Sequence, residues 1–132
     1  MAMGTWSFGN FDNDDAADHI AEIGQQLIGQ IKEIIANDSK LEPDEPESAI
    51  VLCNMEILCC LVDGIKTRDV FLPLGPLPTG DTVKQWKEKY LTIWDSYIDG
   101  LAPDKEYKQL RRQIISETFD RFLFLVSYRE SA

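Results

Sequence analysis

PESAIVLCNMEILCCLVDG, residues 46–64, is apolar at every position from Ile50 to Val62 except Asn54 and Glu56. Pro46 suits the first turn of a helix, where its missing N–H costs nothing. Gly64 is a natural stop. With Asn54, Glu56 and Asp63 interrupting it, the segment is too short and too charged to span a bilayer. A helix without a polar face is a central one, wrapped by its neighbours. The expectation is a buried helix over residues 46–63 with other helices around it.

Three further segments supply those neighbours. From Asp14 to Ala36, Ile20, Ile23, Leu27, Ile31, Ile34 and Ile35 recur at helical spacing and form one stripe. Asp81 or Thr82 is placed to cap a third helix running to Ile98, with Val83, Trp86, Tyr90, Ile93, Trp94 and Tyr97 on one side. Pro103 opens a fourth helix to Tyr128, whose stripe reads Tyr107, Leu110, Ile114, Ile115, Phe119, Phe122, Leu123 and Val126. Between the first two helices, NDSKLEPDEPE is an exposed acidic loop. Between the second and third, Pro73, Pro76, Pro78, Gly75 and Gly80 exclude a helix. The chain reads as one all-α domain over residues 1–132. It is a compact bundle of about four helices, with a non-helical N-terminal arm over 1–13 and a Pro/Gly-rich loop between helices 2 and 3.

The charge is lopsided. Residues 1–65 hold 13 acids and 2 bases, residues 66–132 hold 10 acids and 11 bases, and the whole chain carries −10. This balance lacks the basic footprint that nucleic acid requires, and it disfavours anionic membranes. It suits solubility or a basic protein partner. The N-terminus shows no basic region followed by an apolar run, so a cytoplasmic protein is expected. Cys53, Cys59 and Cys60 are too closely spaced for a disulfide framework or a zinc site, and read as reduced core residues.

GTWSFGNFDNDDAAD, residues 4–18, concentrates four Asp and raises the question of a metal. Asn10, Asp12 and Asp14 alternate as in a calcium loop. Asp15 then stands where the sharp turn needs Gly, and Ala21 where the bidentate Glu belongs. Helix initiation explains the stretch better. Asp12 or Asn13 can cap the first turn, Phe11 can pack beside it, and Asp14, Asp15 and Asp18 lie near the positive end of the helix dipole. Part of that acid surplus is available to a partner, which makes Asp14, Asp15 and Asp18 the candidate binding residues. GQQLIGQI at 24–31 has Gln30 and Ile31 in place of the Lys and Ser/Thr of a phosphate loop. A single His, His19, assembles no catalytic triad and reads as a helix surface residue. Neither a metal nor a cofactor is expected.

Glu56 is the one acid inside the apolar second helix. A buried carboxylate must be paired, hydrogen-bonded or protonated. It is either a perturbed acid in a pocket or an acceptor for the N–H groups of a folded arm, and the second reading is preferred. On it, Trp6 and Phe11 are buried and the arm lies against the second helix near Glu56.

The opening MGTWSFGNFDNDDAADHIAEI resembles the N-terminal signature of a bacterial domain-of-unknown-function family, number 4259, which typically reads M-G-x-W-G-x-G-x-F-x-N-D-x-A-x-D-W. Met3, Gly4, Trp6, Gly9, Phe11, Asn13, Asp14, Ala16 and Asp18 match. Ser7 stands where the family usually has Gly, and His19 where it usually has Trp. The resemblance is firm over the first twenty or so residues and looser over SAIVLCNMEILCCL and VKQWKEKYLTIWDSYI. It implies an all-α fold in a bacterial cytoplasmic protein, and no activity, catalytic residue or cofactor. Small acidic families of this kind also suggest an immunity-type role, neutralising a toxin. Two functions are therefore carried forward: a non-catalytic module that binds a basic protein, or a small metal-dependent enzyme or ligand-binding protein using Asp12, Asp14, Asp15 and Glu56.

Overall fold

The computed structural model describes residues 9–11, 13–65 and 74–131. Four α-helices carry the architecture: α1 Asp14–Ile35, α2 Pro46–Ile65, α3 Gly80–Tyr97 and α4 Lys105–Ser131. Short 3-10 turns lie at Asp38–Leu41 and Ile98–Leu101. The protein is all-α, as its periodicity predicts.

Local chemistry sets the helix starts. Asn13 is the N-cap of α1, its Oδ1 accepting from the Ala16 N–H at 2.8 Å. Of the two caps offered by the sequence, Asn13 is the one seen, and Asp12 lies outside the described residues. For α3 the cap is Thr79, two residues before the expected start, its hydroxyl accepting from the Thr82 N–H at 3.2 Å. Helix α1 ends with Lys89 Nζ of α3 donating to the Ile35 carbonyl at 2.6 Å, a cation placed where the dipole favours it.

Residues 36–45 turn the chain back, so α2 lies antiparallel along α1. Asn54 of α2 is buried there, donating to the Leu27 carbonyl at 3.1 Å and to Gln30 Oε1 at 2.8 Å. The pairs Lys87–Asp120, Arg112–Asp95 and Lys108–Asp99 show that α4 runs antiparallel to α3. Arg121–Asp63, together with the shared walls described below, shows that it runs parallel to α2. Ile28 and Ile31 of α1, Val51, Met55 and Leu58 of α2, Val83 and Tyr90 of α3, and Ile115, Phe119 and Phe122 of α4 are fully enclosed between the helices.

The central-helix expectation needs correction. Val51, Leu52, Met55, Leu58 and Cys59 face inward, but Ile50 and Ile57 are about 40% exposed, and Cys53 and Cys60 are exposed beside them. The reason is that α2 packs against α1 on one side and α4 on another, leaving a third side in water. The α4 stripe also divides. Ile115, Phe119, Phe122 and Val126 are buried, whereas Tyr107, Leu110 and Ile114 are half exposed.

The segment 74–79 is non-helical and seats Leu74 against α1. Gln25 Nε2 donates to the carbonyls of Leu74 and Pro76, at 2.8 and 2.9 Å. Gly24 makes this approach possible, because a Cβ there would stand 2.7 Å from the Leu74 carbonyl oxygen. At Gly29, five residues further on, a Cβ would meet nothing within 4 Å. Gly24→Ala should therefore destabilise the fold by about 1–3 kcal/mol. Gly29→Ala should stabilise it by up to about 1 kcal/mol. Urea melts of the two variants check the opposite signs.

Candidate functional site

The acidic candidates fall on the outer face of α1. Asp14 and Asp15 occupy its first turn, and Asp14, Asp15, Asp18, His19 and Glu22 are all exposed. Trp6 lies outside the described residues. Phe11 is half-buried and packs against the core.

Five bases of the second half are engaged elsewhere. Lys87 binds Asp120, Lys108 binds Asp99 and Lys89 binds Asp38, each at 2.7 Å. Arg121 holds Asp63 at 2.6 Å. Arg112 grips Asp95 with two parallel bonds of 2.9 Å, and this guanidinium holds the Asp95 carboxyl below the usual carboxylate range. No described ion pair reaches Asp15, Asp18 or Glu22.

Glu56 corrects the other expectation. It is exposed, so it is neither a carboxylate buried in the core nor shielded from water. It borders a shallow cleft between α2 and α4 with Ile114, Glu117, Thr118 and Arg121. Its sequence neighbours are apolar, but its position on the helix points it away from the core. Neither Asp14 nor Asp15 shares that cleft. Among the described residues no three His, Cys, Asp or Glu side chains group together as a metal site.

A larger groove, of about 430 Å³, lies where the start of α2 meets the end of α3 and the start of α4. Tyr90 and Ser48 lie at its inner end, Trp94, Ile98 and Tyr107 supply apolar wall, and Asp104 and Arg111 bring charge to the rim. The Tyr90 hydroxyl donates to the Ser48 carbonyl at 2.9 Å and stands 2.8 Å from Ser48 Oγ, which itself donates to the Leu41 carbonyl at 3.3 Å. Burial raises the Tyr90 phenol above its ordinary range, against the opposing pull of the Ser48 hydrogen bond and of Arg111. A phenol so satisfied has a structural role. The groove was missed in the sequence; its one signal is the aromatic pair Trp94 and Tyr107 flanking the Gly100–Pro103 break. The chain crosses that break with Ala102 in the left-handed region, at φ +50°.

Of the three thiols, Cys53 and Cys60 are exposed and Cys59 is buried. Burial pushes the Cys59 thiol up to about 11, from an ordinary 9.0. The family described as Domain of unknown function (DUF4259) matches residues 4–122. No curated protein and no solved structure matches the chain. Among the described residues, no helix is long and apolar enough to cross a membrane.

Two measurements check this chemistry. Tyr90→Phe removes the donor to Ser48 and should cost about 1–3 kcal/mol in urea melts. The raised Cys59 and Tyr90 groups favour the native state while protonated. The Cys59 contribution is complete below pH 9 and is lost as pH rises through about 11, as the unfolded chain ionises first, and Tyr90 acts in the same direction. Stability of the wild type should fall across that window, and the fall between pH 9 and 11 should be shallower in Cys59→Ala.

Proposed function

Because the chain belongs to the DUF4259 family, whose description carries no activity, we propose its function from its surface: a non-catalytic, cytoplasmic module that binds a basic protein through the outer face of α1. One observation carries this reading. Asp15, Asp18 and Glu22 stand exposed on one helix, and the described bases that form ion pairs bind other acids. Capping accounts for acids in the first turn, where free N–H groups and the dipole favour them. Asp18 and Glu22 lie beyond that turn. Carboxylates left without cations accelerate encounter with a cationic surface and fix its orientation. A basic toxin neutralised in the manner of an immunity protein is a partner of this class.

The test is retention of cationic protein from the cells of origin on the immobilised protein, loaded at about 0.05 M salt and released by about 0.5 M, where charges are screened beyond a few ångströms. The triple variant Asp15→Asn, Asp18→Asn, Glu22→Gln should lose that capture with its helical content and urea midpoint unchanged. Equal retention by variant and wild type, or no cationic partner at low salt, rejects the proposal.

A further inference from the structure

Helix α4 presents two faces. The inner one is core; the outer one carries Leu110, Ile114, Glu117, Arg121, Phe124 and Tyr128. Their spacings of four, three, four, three and four form a heptad seam, the pattern that two helices need in order to pack along each other. It is open to water throughout: Leu110 is 51% exposed, Ile114 50%, Phe124 74% and Tyr128 64%. Phe124 and Tyr128 stack on each other at 6.5 Å. Beside this seam runs a second one on the parallel helix α2, formed by Ile50, Cys53, Ile57 and Cys60, at spacings of three, four and three. The two adjacent seams are apolar except at Glu117 and Arg121, with Glu56 in the cleft between them, and make a patch of the sort that marks an interaction surface.

The order of residues along the α4 seam points to its occupant. It reads apolar, apolar, acid, base, apolar, apolar. Laid antiparallel on a copy of itself, it brings Leu110 to Tyr128, Ile114 to Phe124 and Glu117 to Arg121, each pair occurring twice about a two-fold axis. A parallel copy would set Glu117 against Glu117 and Arg121 against Arg121. Both charged groups are already positioned. Arg121 is held by Asp63 through one Nη, with further N–H donors left on the guanidinium. Glu117 accepts from Gln113 at 2.9 Å. The α2 seam obeys the same axis. Glu56 shares its cleft with Glu117 and Arg121, which puts this part of α2 at the level of the axis, with the carboxylate toward α4 and Ile57 about 100° round the helix from it.

We propose that the outer face of α2 and α4 is a homodimer interface, in which α4 packs antiparallel on α4 of a second copy with Glu117 paired to Arg121 across the axis. The seam from Leu110 to Tyr128 is about 27 Å long at 1.5 Å per residue, and two helices side by side are about 20 Å wide. Together they bury on the order of 1,100 Å² in total, just under the roughly 1,200 Å² of stable interfaces and in the size range of weak, reversible association. The face lies away from the outer side of α1, so dimerisation leaves the acidic surface free and stands independently of the binding role proposed for it.

Sedimentation equilibrium of the full chain tests this. The apparent mass should move from 15.0 kDa toward twice that value as concentration rises through the micromolar range. Phe124→Glu, at a position already in water, should remain folded by circular dichroism and weaken association about a hundredfold. Glu117→Lys and Arg121→Glu should each weaken self-association about tenfold. An equimolar mixture of the two should dimerise again. In the mixed dimer the lysine introduced at position 117 of one chain faces the glutamate introduced at position 121 of the other, and the unchanged Arg121 faces the unchanged Glu117. A monomer at every concentration overturns the proposal. A dimer that survives Phe124→Glu, or a mixture that fails to recover, overturns the antiparallel α4 interface.

Discussion

Tyr90 joins α3 to three other elements. Its hydroxyl donates to the Ser48 carbonyl of α2, Ser48 donates onward to Leu41 in the 3-10 turn, and its ring meets Phe119 of α4 at 5.3 Å, tilted by 59°. A phenol in an apolar site needs its one polar atom satisfied, which leaves α3 little freedom to slide along its partners. The rest of the register follows. Lys89, one residue earlier, reaches the end of α1 and Asp38, while Lys87, Asp95 and Asp99 find Asp120, Arg112 and Lys108 on α4. The groove is a consequence of the same register, since the end of α3 projects past the start of α2 and carries Trp94 and Ile98 into its wall.

Helix existence and helix starts were legible in the sequence because both are local. Period reports the helix, and Asn13 reports the first turn of α1 through a side chain acting within three residues; for α3 the sequence pointed to Asp81 or Thr82, and Thr79 is the cap. Which face is buried was legible only where the opposite face is polar. On α1 the outer carboxylates point to the inner side, yet the stripe read from spacing took in Ile23 and Leu27, which are half-buried, and passed over Ile28, which is fully buried. On α4, Ile114 and Ile115 adjoin in sequence but point about 100° apart, one into water and the other into the core. Counting apolar positions at helical spacing therefore merged two stripes into one. Glu56 was misplaced for the same reason, since apolar neighbours in sequence do not make an apolar neighbourhood on a helix. The groove was illegible because it is assembled from Pro43, Tyr90 and Tyr107, and only tertiary packing brings them together.

The charge asymmetry of the sequence survives folding. Among the described ion pairs, those that draw on acids of the first half are at Asp38 and Asp63. The other three pairs join groups within the second half. Folding thus leaves the first half strongly negative, and much of that charge sits on α1 and the loop that follows it. Each carboxylate beyond the first turn adds self-repulsion that the helix does not itself require.

The two proposed surfaces respond oppositely to salt. Capture of a cationic protein by α1 draws on attraction between unlike charges and weakens as the Debye length shrinks from about 30 Å at 0.01 M to about 3 Å at 1 M. Self-association of a chain with net charge −10 works against repulsion between two like-charged bodies. That repulsion is long-ranged and screened first. What holds the copies together is apolar contact at Phe124 and Ile114, which salt does not weaken. The Glu117–Arg121 pairs act at contact distance and set direction more than strength. Raising the ionic strength should therefore release a basic partner while it strengthens the dimer. A surface that mixed the two functions on one face could not show both effects.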